Sequence, residues 1–561
     1  MSRFKAFLAI GLGLAGLLLP AHSIAVWLAG PDSPHLAPVV TGIWVFKLML
    51  VVHAGLVVAA AHWSLGEPGA GLVAALPPVE PVNRYEGAAV GGLLLVGVLL
   101  RLYQLPNGLW FDEIQTLVDY VRLPIGQILT TYDSQNQHLL YSLSAGILHT
   151  LFGESALTLR FPAAVFGVAS LYAVYRFGRL VAGRREALLA LGLLAFSYHH
   201  VWFSQNARGY TGLLFFTLVG TECFVRLLTG QTRRPWLTAV LYGAAMALAA
   251  YTHITAVLIV VAHALVWLWC YLRRAPDAGL ARAPLAGLVL ATTFTLQLYA
   301  PVLPQVFGTV LHPPRGAAAT AWQSPLWFAT EALRGLSRGL PGGWFTLGAA
   351  LVVVAAGLVS YWKRNAALTL LMVLPALVSG AALLALQHNL WPRFFFFSAG
   401  FAVLIALRGG FALAGLVLPP RLSSLATAGA VLVIMGSALT VPRAWHPKQD
   451  FVAASAFVER SGGPGDAVVT VDLTRYPYAE FYQKDFIPVG SLEALEAVEA
   501  SHRRTWVLYT FPIRLAVVQP EIWSRLQADY RMAASFPGTV GGGAIVVMVR
   551  RFPHEQSEDA S

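Results

Sequence analysis

The chain has 561 residues, of which 57% are hydrophobic and only 12% charged, with a formal net charge of +11. An ordinary soluble domain is about 45–50% apolar, so this composition excludes a soluble globular enzyme and calls for a protein that spends most of its length in lipid. The two cysteines, Cys223 and Cys270, sit inside apolar runs, which leaves no disulfide framework or zinc-thiolate site to read. The basic excess gathers in short loops between apolar runs, where it orients membrane spans and gives no reason to expect a nucleic-acid partner.

Residues 1–64 read as an accessory pair of spans, near 5–29 and 39–62. Arg3 and Lys5 precede the first run, and "AHS" at 21–23 resembles a signal-peptidase site, but the run resumes with "IAVWLAG" and reads as an uncleaved anchor. A Pro/Gly-rich cytoplasmic linker follows over 65–84. The core, 85–441, carries spans near 86–103, 160–181, 187–203, 209–228, 236–251, 253–271, 284–303, 344–361, 366–386, 392–415 and 423–441. With the first pair the fold class is mainly α, a polytopic membrane bundle of about 13 transmembrane helices.

The stretch 138–152, "HLLYSLSAGILHTLF", is short for a span. If it does not cross and the N-terminus is cytoplasmic, the basic loops 176–186, 226–235, 273–282 and 363–365 and Arg421 all fall inside; if it crosses, all move outside. The positive-inside bias therefore makes 138–152 an interfacial helix on the outer surface. The loop 104–137 is then extracytoplasmic, and so is 442–553, where helical and strand patterns alternate as in a small α/β domain. Residues 554–561 read as a disordered tail.

Within the first outer loop, "LPNGLWFDEIQTL" (105–117) sets Asp112 beside Glu113. Asp112 could simply cap a helix beginning near Glu113. The same side of the membrane, however, also carries His138, Tyr141, Arg208, Tyr210, His253 and Arg393, and charge at a membrane boundary is expensive unless solvated, paired or used. For Arg208 the simpler account is a side chain snorkelling to the interface. Taken together, arginine forks match a phosphate and a carboxylate can take a proton from an attacking hydroxyl. The expected chemistry is transfer from a lipid-linked phosphate donor to an acceptor outside the cytoplasm.

Four stretches carry a family resemblance: "RLYQLPNGLWFDE" (101–113), "NQHLLYSL…LFGESALTLRFPAAVFG" (136–167), "FSQNARGYTGLLFF" (203–216) and "WPRFFFFSAGFAVLIALRGG" (391–410). Over about 84–442 the chain resembles the GT-C superfamily of polytopic glycosyltransferases, in its branch of protein O-mannosyltransferases and lipid A aminoarabinose transferases. The resemblance implies a bacterial inner-membrane enzyme with a polyprenyl-phosphate-sugar donor and a lipid, glycan or protein acceptor. It implies Asp112 as general base, with Glu113 orienting the aspartate or the acceptor. His138, Tyr141, Arg208, Tyr210, His253 and Arg393 would bind substrate, Arg208 and Arg393 at the carrier phosphate. Asn206 stands where many relatives have Glu, so a divalent metal ion, the one cofactor the family leaves open, would have one carboxylate fewer. A transporter would instead place ionisable groups at mid-membrane in two repeated halves, and a scaffold subunit of a cell-envelope polysaccharide system would make the acidic pair structural.

Overall fold

The computed structural model describes residues 3–65, 70–273, 278–311, 322–340 and 342–550; the expected tail at 554–561 lies outside these. Among the described residues ten helices are long and apolar enough to cross a membrane, and two bent pairs raise the number to twelve. The remaining expected span, 236–251, forms the helix Pro235–Thr252, which belongs to neither group. Ala156–Val181 and Tyr210–Leu228 are the most enclosed spans, with 56% and 72% of their apolar windows buried, whereas Leu36–His62 is 11% buried and borders lipid. The site described below is built around the first two.

Both bent pairs correct an expectation of one continuous helix. The span expected at 5–29 breaks between Arg3–Leu18 and Ala21–Ala29, bent by 82°, and that at 187–203 breaks between Arg184–Ala195 and Tyr198–Ser204, bent by 61°. Pro20 accounts for the first break, since it offers no N–H to continue the ladder. A broken helix in lipid needs donors for the carbonyls it frees. At each break a buried cation supplies them. Lys47 Nζ donates to the Leu19 carbonyl at 2.6 Å, and Arg101 donates to the carbonyls of Leu194 and Ala195 at 3.1 and 3.3 Å.

The stretch 138–152 forms the helix Leu139–Phe152, and its 14 residues reach only about 21 Å at 1.5 Å per residue, short of a hydrocarbon core of roughly 30 Å. It lies against Ala156–Val181 and the short helix Ile125–Ile128.

The C-terminal region is a five-stranded mixed sheet: β1 (Asp466–Val471), β2 (Ile487–Val489), β3 (Arg504–Tyr509), β4 (Tyr530–Phe536) and β5 (Ile545–Arg550), in the order β2-β1-β3-β5-β4. β2, β1 and β3 run parallel, and β5 is antiparallel to β3 and β4. β1, β3 and β5 fall on "DAVVTVDL", "TWVLYT" and "GAIVVMVRR", which have the pattern of strands; β2 has three residues and β4, "YRMAASF", lacks clean alternation, so neither announces itself. Alternate residues of β3 face opposite ways. Val507 and Tyr509 pack with Leu495, Ile522 and Leu526; Trp506 and Leu508 pack with Phe451, Ala454 and Val458 of the helix Phe451–Ser461 and, beyond them, Leu109, Ile114 and Leu117. The sheet domain and the first loop thus share one apolar core at the same end of the bundle.

Candidate active site

The segment "LPNGLWFDEIQTL" leaves the helix Arg84–Leu102 through Gln104 in the left-handed region (φ 59°) and starts a short helix, Phe111–Thr116. The N-cap position falls on Trp110, whose N–H is accepted by Glu113 Oε2 at 3.3 Å. Asp112 therefore does not cap, as a helix beginning near Glu113 would require; it lies in the first turn, and the two carboxylates point to different surroundings.

Glu113 is fully buried and bound on every side. Arg160 grips it with two parallel contacts, Nε to Oε1 at 2.7 Å and Nη2 to Oε2 at 2.5 Å, and the Ala207 N–H adds a third to Oε1 at 2.7 Å. Burial alone would raise its pKa, but the charges of Arg160 and Lys448 and the hydrogen bonds from Arg160 and Ala207 outweigh it and hold the carboxyl below its ordinary value. Arg160 also donates to the carbonyls of Leu105, Asn107 and Gly108. The pair is a clamp on the loop, which fits the orienting of Asp112 and not a direct contact with an acceptor.

Asp112 remains partly accessible, its side chain 15% exposed, with Oδ2 3.1 Å from Arg393 Nη1. Its carbonyl accepts from the Thr116 hydroxyl at 2.8 Å and from Asn136 Nδ2 at 3.5 Å. Asn136 leads on to Arg208, whose Nη1 donates to the Asn136 carbonyl at 2.9 Å, to Asn136 Oδ1 and to the Thr116 hydroxyl at 3.2 Å. Asp112, Asn136 and Arg208 thus belong to one connected network.

Around Arg208 the aromatic and imidazole rings close in. His138 lies 4.7 Å from His253 and 5.4 Å from Tyr210 between ring centroids, and His253 lies 5.7 Å from Tyr210. His138 Nδ1 is 3.1 Å from the Gly209 N–H and Nε2 is 2.9 Å from Arg208 Nη2. Burial first, then Arg208, His253 and Arg393, hold the His138 pKa well below its ordinary value, so the ring is neutral. A neutral ring accepts at only one nitrogen, so one of these two donors is left over. Thr255 donates to His253 Nδ1, at 2.8 Å from its hydroxyl, which puts the His253 proton on Nε2. Arg208 Nε, Arg393 Nε and His253 Nε2 are buried without a hydrogen-bond partner among the described residues. Buried donors left unpaired are costly, and a cluster of them suits an anion.

Of the eight residues expected at the site, the structure brings together Asp112, His138, Arg208, Tyr210, His253 and Arg393. Tyr141 lies apart from these: its hydroxyl donates to the Leu159 carbonyl and it packs in the apolar core behind the loop. The sequence reading missed Arg160, Thr116, Asn136, Lys448 and Gln449. Arg160 had a signal, a lone arginine at the start of an apolar run. Lys448 and Gln449 had none, since they lie more than 330 residues after Asp112. Lys448 Nζ donates to the Gln205 carbonyl at 2.6 Å, next to Asn206 and Ala207. Gln449 accepts from the Phe111 N–H at 3.1 Å and donates to the Thr510 hydroxyl at 3.1 Å. Asn206 is also spent on structure, its Oδ1 accepting from Trp110 Nε1 at 3.1 Å.

A divalent cation does not fit these residues. Glu113 is saturated by Arg160 and Ala207, Asp112 faces Arg393, and the orphaned groups are donors. Among the described residues no group of three or more His, Cys, Asp or Glu side chains is gathered as a metal site.

Residues 138–304 match the family model described as dolichyl-phosphate-mannose-protein mannosyltransferase. That match bears out the GT-C resemblance. The matched GT-C segment holds His138, Arg160, Arg208, Tyr210 and His253, while Asp112 and Arg393 lie outside it. The whole sequence finds no match among curated proteins. Among solved structures it is similar to ArnT from Cupriavidus metallidurans bound to undecaprenyl phosphate, at 12% identity and a TM-score of 0.48 over 84% of this chain and 98% of that one. It is also similar to the oligosaccharyltransferase of Archaeoglobus fulgidus in complex with Zn and sulfate (13% identity, TM-score 0.47, 81% and 72%). The protein O-mannosyltransferase complex of S. cerevisiae bound to its sugar donor matches over 41% of this chain and 34% of that one, at 17% identity and a TM-score of 0.35.

Proposed function

We propose that the chain is a membrane glycosyltransferase that moves a sugar from a polyprenyl-phosphate-linked donor to a hydroxyl of a lipid, glycan or protein acceptor on the extracytoplasmic face of the bacterial inner membrane. The observation that carries this reading is the cluster of buried, unpaired donors on Arg208, Arg393 and His253 beside the accessible carboxylate of Asp112. Donors of that kind recognise a phosphate, and a carboxylate beside them can serve as base.

Arg393 pairs with Asp112 while no phosphate competes for it. When the donor's phosphate arrives, Arg393 and Arg208 turn to it and Asp112 is released toward the acceptor. The acceptor hydroxyl then attacks the anomeric carbon; its proton passes to Asp112 and a new C–O bond forms as the C–O bond to the carrier phosphate breaks. The arginines and His253 stabilise the phosphate as it gains charge. One base and one displacement give inversion. Glu113 and Arg160 act by holding the loop.

For topology, the N-terminus is taken as cytoplasmic and the segment 442–553 as extracytoplasmic, with 1–64 an accessory pair and 85–441 the catalytic core. Supporting this, the first loop and the sheet domain are in contact, through Asn107 to the Trp445 carbonyl and Tyr482 to the Leu109 carbonyl, so an even number of crossings lies between them. The loop-charge count has that parity when Leu139–Phe152 stays on the surface.

The test is mass spectrometry of lipid and glycan fractions from cells lacking the chain and from cells complemented with wild type or Asp112→Asn. The expected result is a sugar-sized mass restored by wild type and reduced about 10²–10⁴-fold in rate by the variant. Full restoration by an inserted, folded Asp112→Asn protein would overturn the assignment of the base.

A further inference from the structure

The accessory helices take hold of the core at two glycines. At Gly42 an added Cβ would lie 2.2 Å from the Ala300 carbonyl oxygen, so Leu36–His62 packs directly on the backbone that runs into the helix Leu303–Leu311. At Gly126 an added Cβ would lie 2.4 Å from the Leu28 carbonyl oxygen, so Ala21–Ala29 packs on the short helix leading to residues 130–135. Between the two gripped segments lies an open recess of about 570 Å³, lined by Tyr132, Asp133, Ser134, Gln135, Gln305, Gly308 and Thr309. That volume suits a small ligand of one to a few rings.

Its walls are fixed by side chains. Gln305 accepts from the Tyr132 N–H and donates to the Thr130 carbonyl, both at 2.7 Å, and Thr309 donates to the Tyr132 carbonyl at 3.3 Å. Gln135 Nε2 is 3.0 Å from His388 Nδ1, and His388 Nε2 donates to the Val310 carbonyl at 2.7 Å. Asp133, with its side chain 56% exposed, meets His35 of the accessory region at 3.3 Å. The cavity adjoins the candidate active site: the Ser134 hydroxyl accepts from the Asn136 N–H at 3.2 Å, and the Asn136 side chain reaches Asp112 and Arg208.

Among the described residues the lining combines amides, hydroxyls, one aromatic ring and one carboxylate, with no lysine or arginine. Such a surface hydrogen-bonds sugar hydroxyls and disfavours anions, because a phosphate or carboxylate would face the Asp133 carboxylate. We propose that this cavity is the acceptor subsite and that it takes an uncharged or amino sugar of a glycan in preference to a phosphorylated or carboxylated one. This rests on the glycosyl-transfer reading above. In it the accessory pair builds the acceptor side of the enzyme.

Saturation-transfer NMR on the full chain in lipid nanodiscs tests it, with maltotriose, a chitosan trimer and trigalacturonate as probes. Saturation transfer to maltotriose or the chitosan trimer, with little to trigalacturonate, is expected. The double variant Asp133→Asn/Gln135→Ala should weaken it roughly tenfold, as losing one or two hydrogen bonds does. Gln135→Glu, which adds a carboxylate, should shift the preference toward the chitosan trimer and shows that the cavity is intact if the double variant misfolds. Binding of trigalacturonate equal to the others, no binding of any probe, or variants indistinguishable from wild type would overturn the proposal. Because the measurement needs no donor, saccharide binding without any sugar transfer in cells would sink the catalytic reading and leave the cavity's preference standing.

Discussion

Replacing Glu113 by Gln separates a structural clamp from a chemical role. The substitution keeps size and leaves Arg160 its three carbonyl partners in the loop, but removes the negative charge from a pair whose side chains are 2% and 0% exposed. Two charge-assisted contacts at 2.7 and 2.5 Å are lost or weakened. Breaking a buried pair by neutralising one member costs about 3–5 kcal/mol, because the other charge stays buried. At a few degrees per kcal/mol, the unfolding midpoint should fall by on the order of 10 °C, read by tryptophan fluorescence of the purified protein in nanodiscs. The deficit should shrink in Glu113→Gln/Arg160→Met, which removes both charges. The pH dependence follows from the lowered Glu113 pKa. A carboxyl depressed in the folded state contributes stability that is present above its unfolded pKa of about 4.3 and lost as pH falls through the folded value. Wild type and Glu113→Gln should therefore converge only at strongly acidic pH. A Glu113→Gln protein as stable as wild type yet unable to transfer sugar would refute the clamp and return Glu113 to the chemistry.

Lys448 is buried at the back of the loop, and burial first, against the opposing pull of Glu113, lowers its pKa to about 7. Between that value and the unfolded pKa of about 10.4 the unfolded chain holds more protons, so stability should rise with pH across this window. Lys448→Met should flatten that slope between pH 7 and 9.5 in thermal scans; an unchanged slope would mean that another group causes it. Gln449→Ala removes the acceptor for the Phe111 N–H and should lower kcat about tenfold through a misplaced Asp112, with the donor KM little changed. Gln449→Glu keeps an acceptor oxygen and should recover part of the loss in the same assay, whereas equal losses in both variants would argue against a positioning role.

Much of this site was legible because its polar residues stand out against apolar runs. Asp112, Arg208 and Arg393 are conspicuous wherever charge is scarce, and loop-charge parity predicts that they share one side of the membrane. The partnerships were less legible. Nothing local distinguishes Glu113, clamped by an arginine 47 residues away, from Asp112, which stays accessible; the difference is which way the first turn of a six-residue helix faces. The family resemblance implies that Tyr141 binds substrate, yet the helix directs its hydroxyl at a backbone carbonyl. The broken spans were hidden for a related reason. Hydropathy averages over a window, and a bend at Phe196–Ser197 that is sealed by Arg101 from another helix leaves the average unchanged.

The helix bearing Asp112 also gives the sheet domain a physical reason to be present. Phe111–Thr116 has six residues and passes straight into a π turn over Leu117–Val121, too little for a helix stable by itself in water, where roughly 12–15 residues are marginal. Its hold is entirely tertiary. From the membrane side come Arg160 on Glu113 and Asn206 on Trp110; from the sheet side come Gln449 on Phe111, Tyr482 on the Leu109 carbonyl and Tyr476 on Asp119. Contacts from both sides fix how its first turn is rotated, Arg160 through Glu113 and Gln449 through the Phe111 N–H. Rotation decides whether Asp112 or Glu113 is the accessible carboxylate. A core without residues 442–550 would keep Arg208, Arg393 and His253 and lose the Gln449, Tyr482 and Tyr476 contacts that hold the helix of Asp112, the base of the proposed reaction.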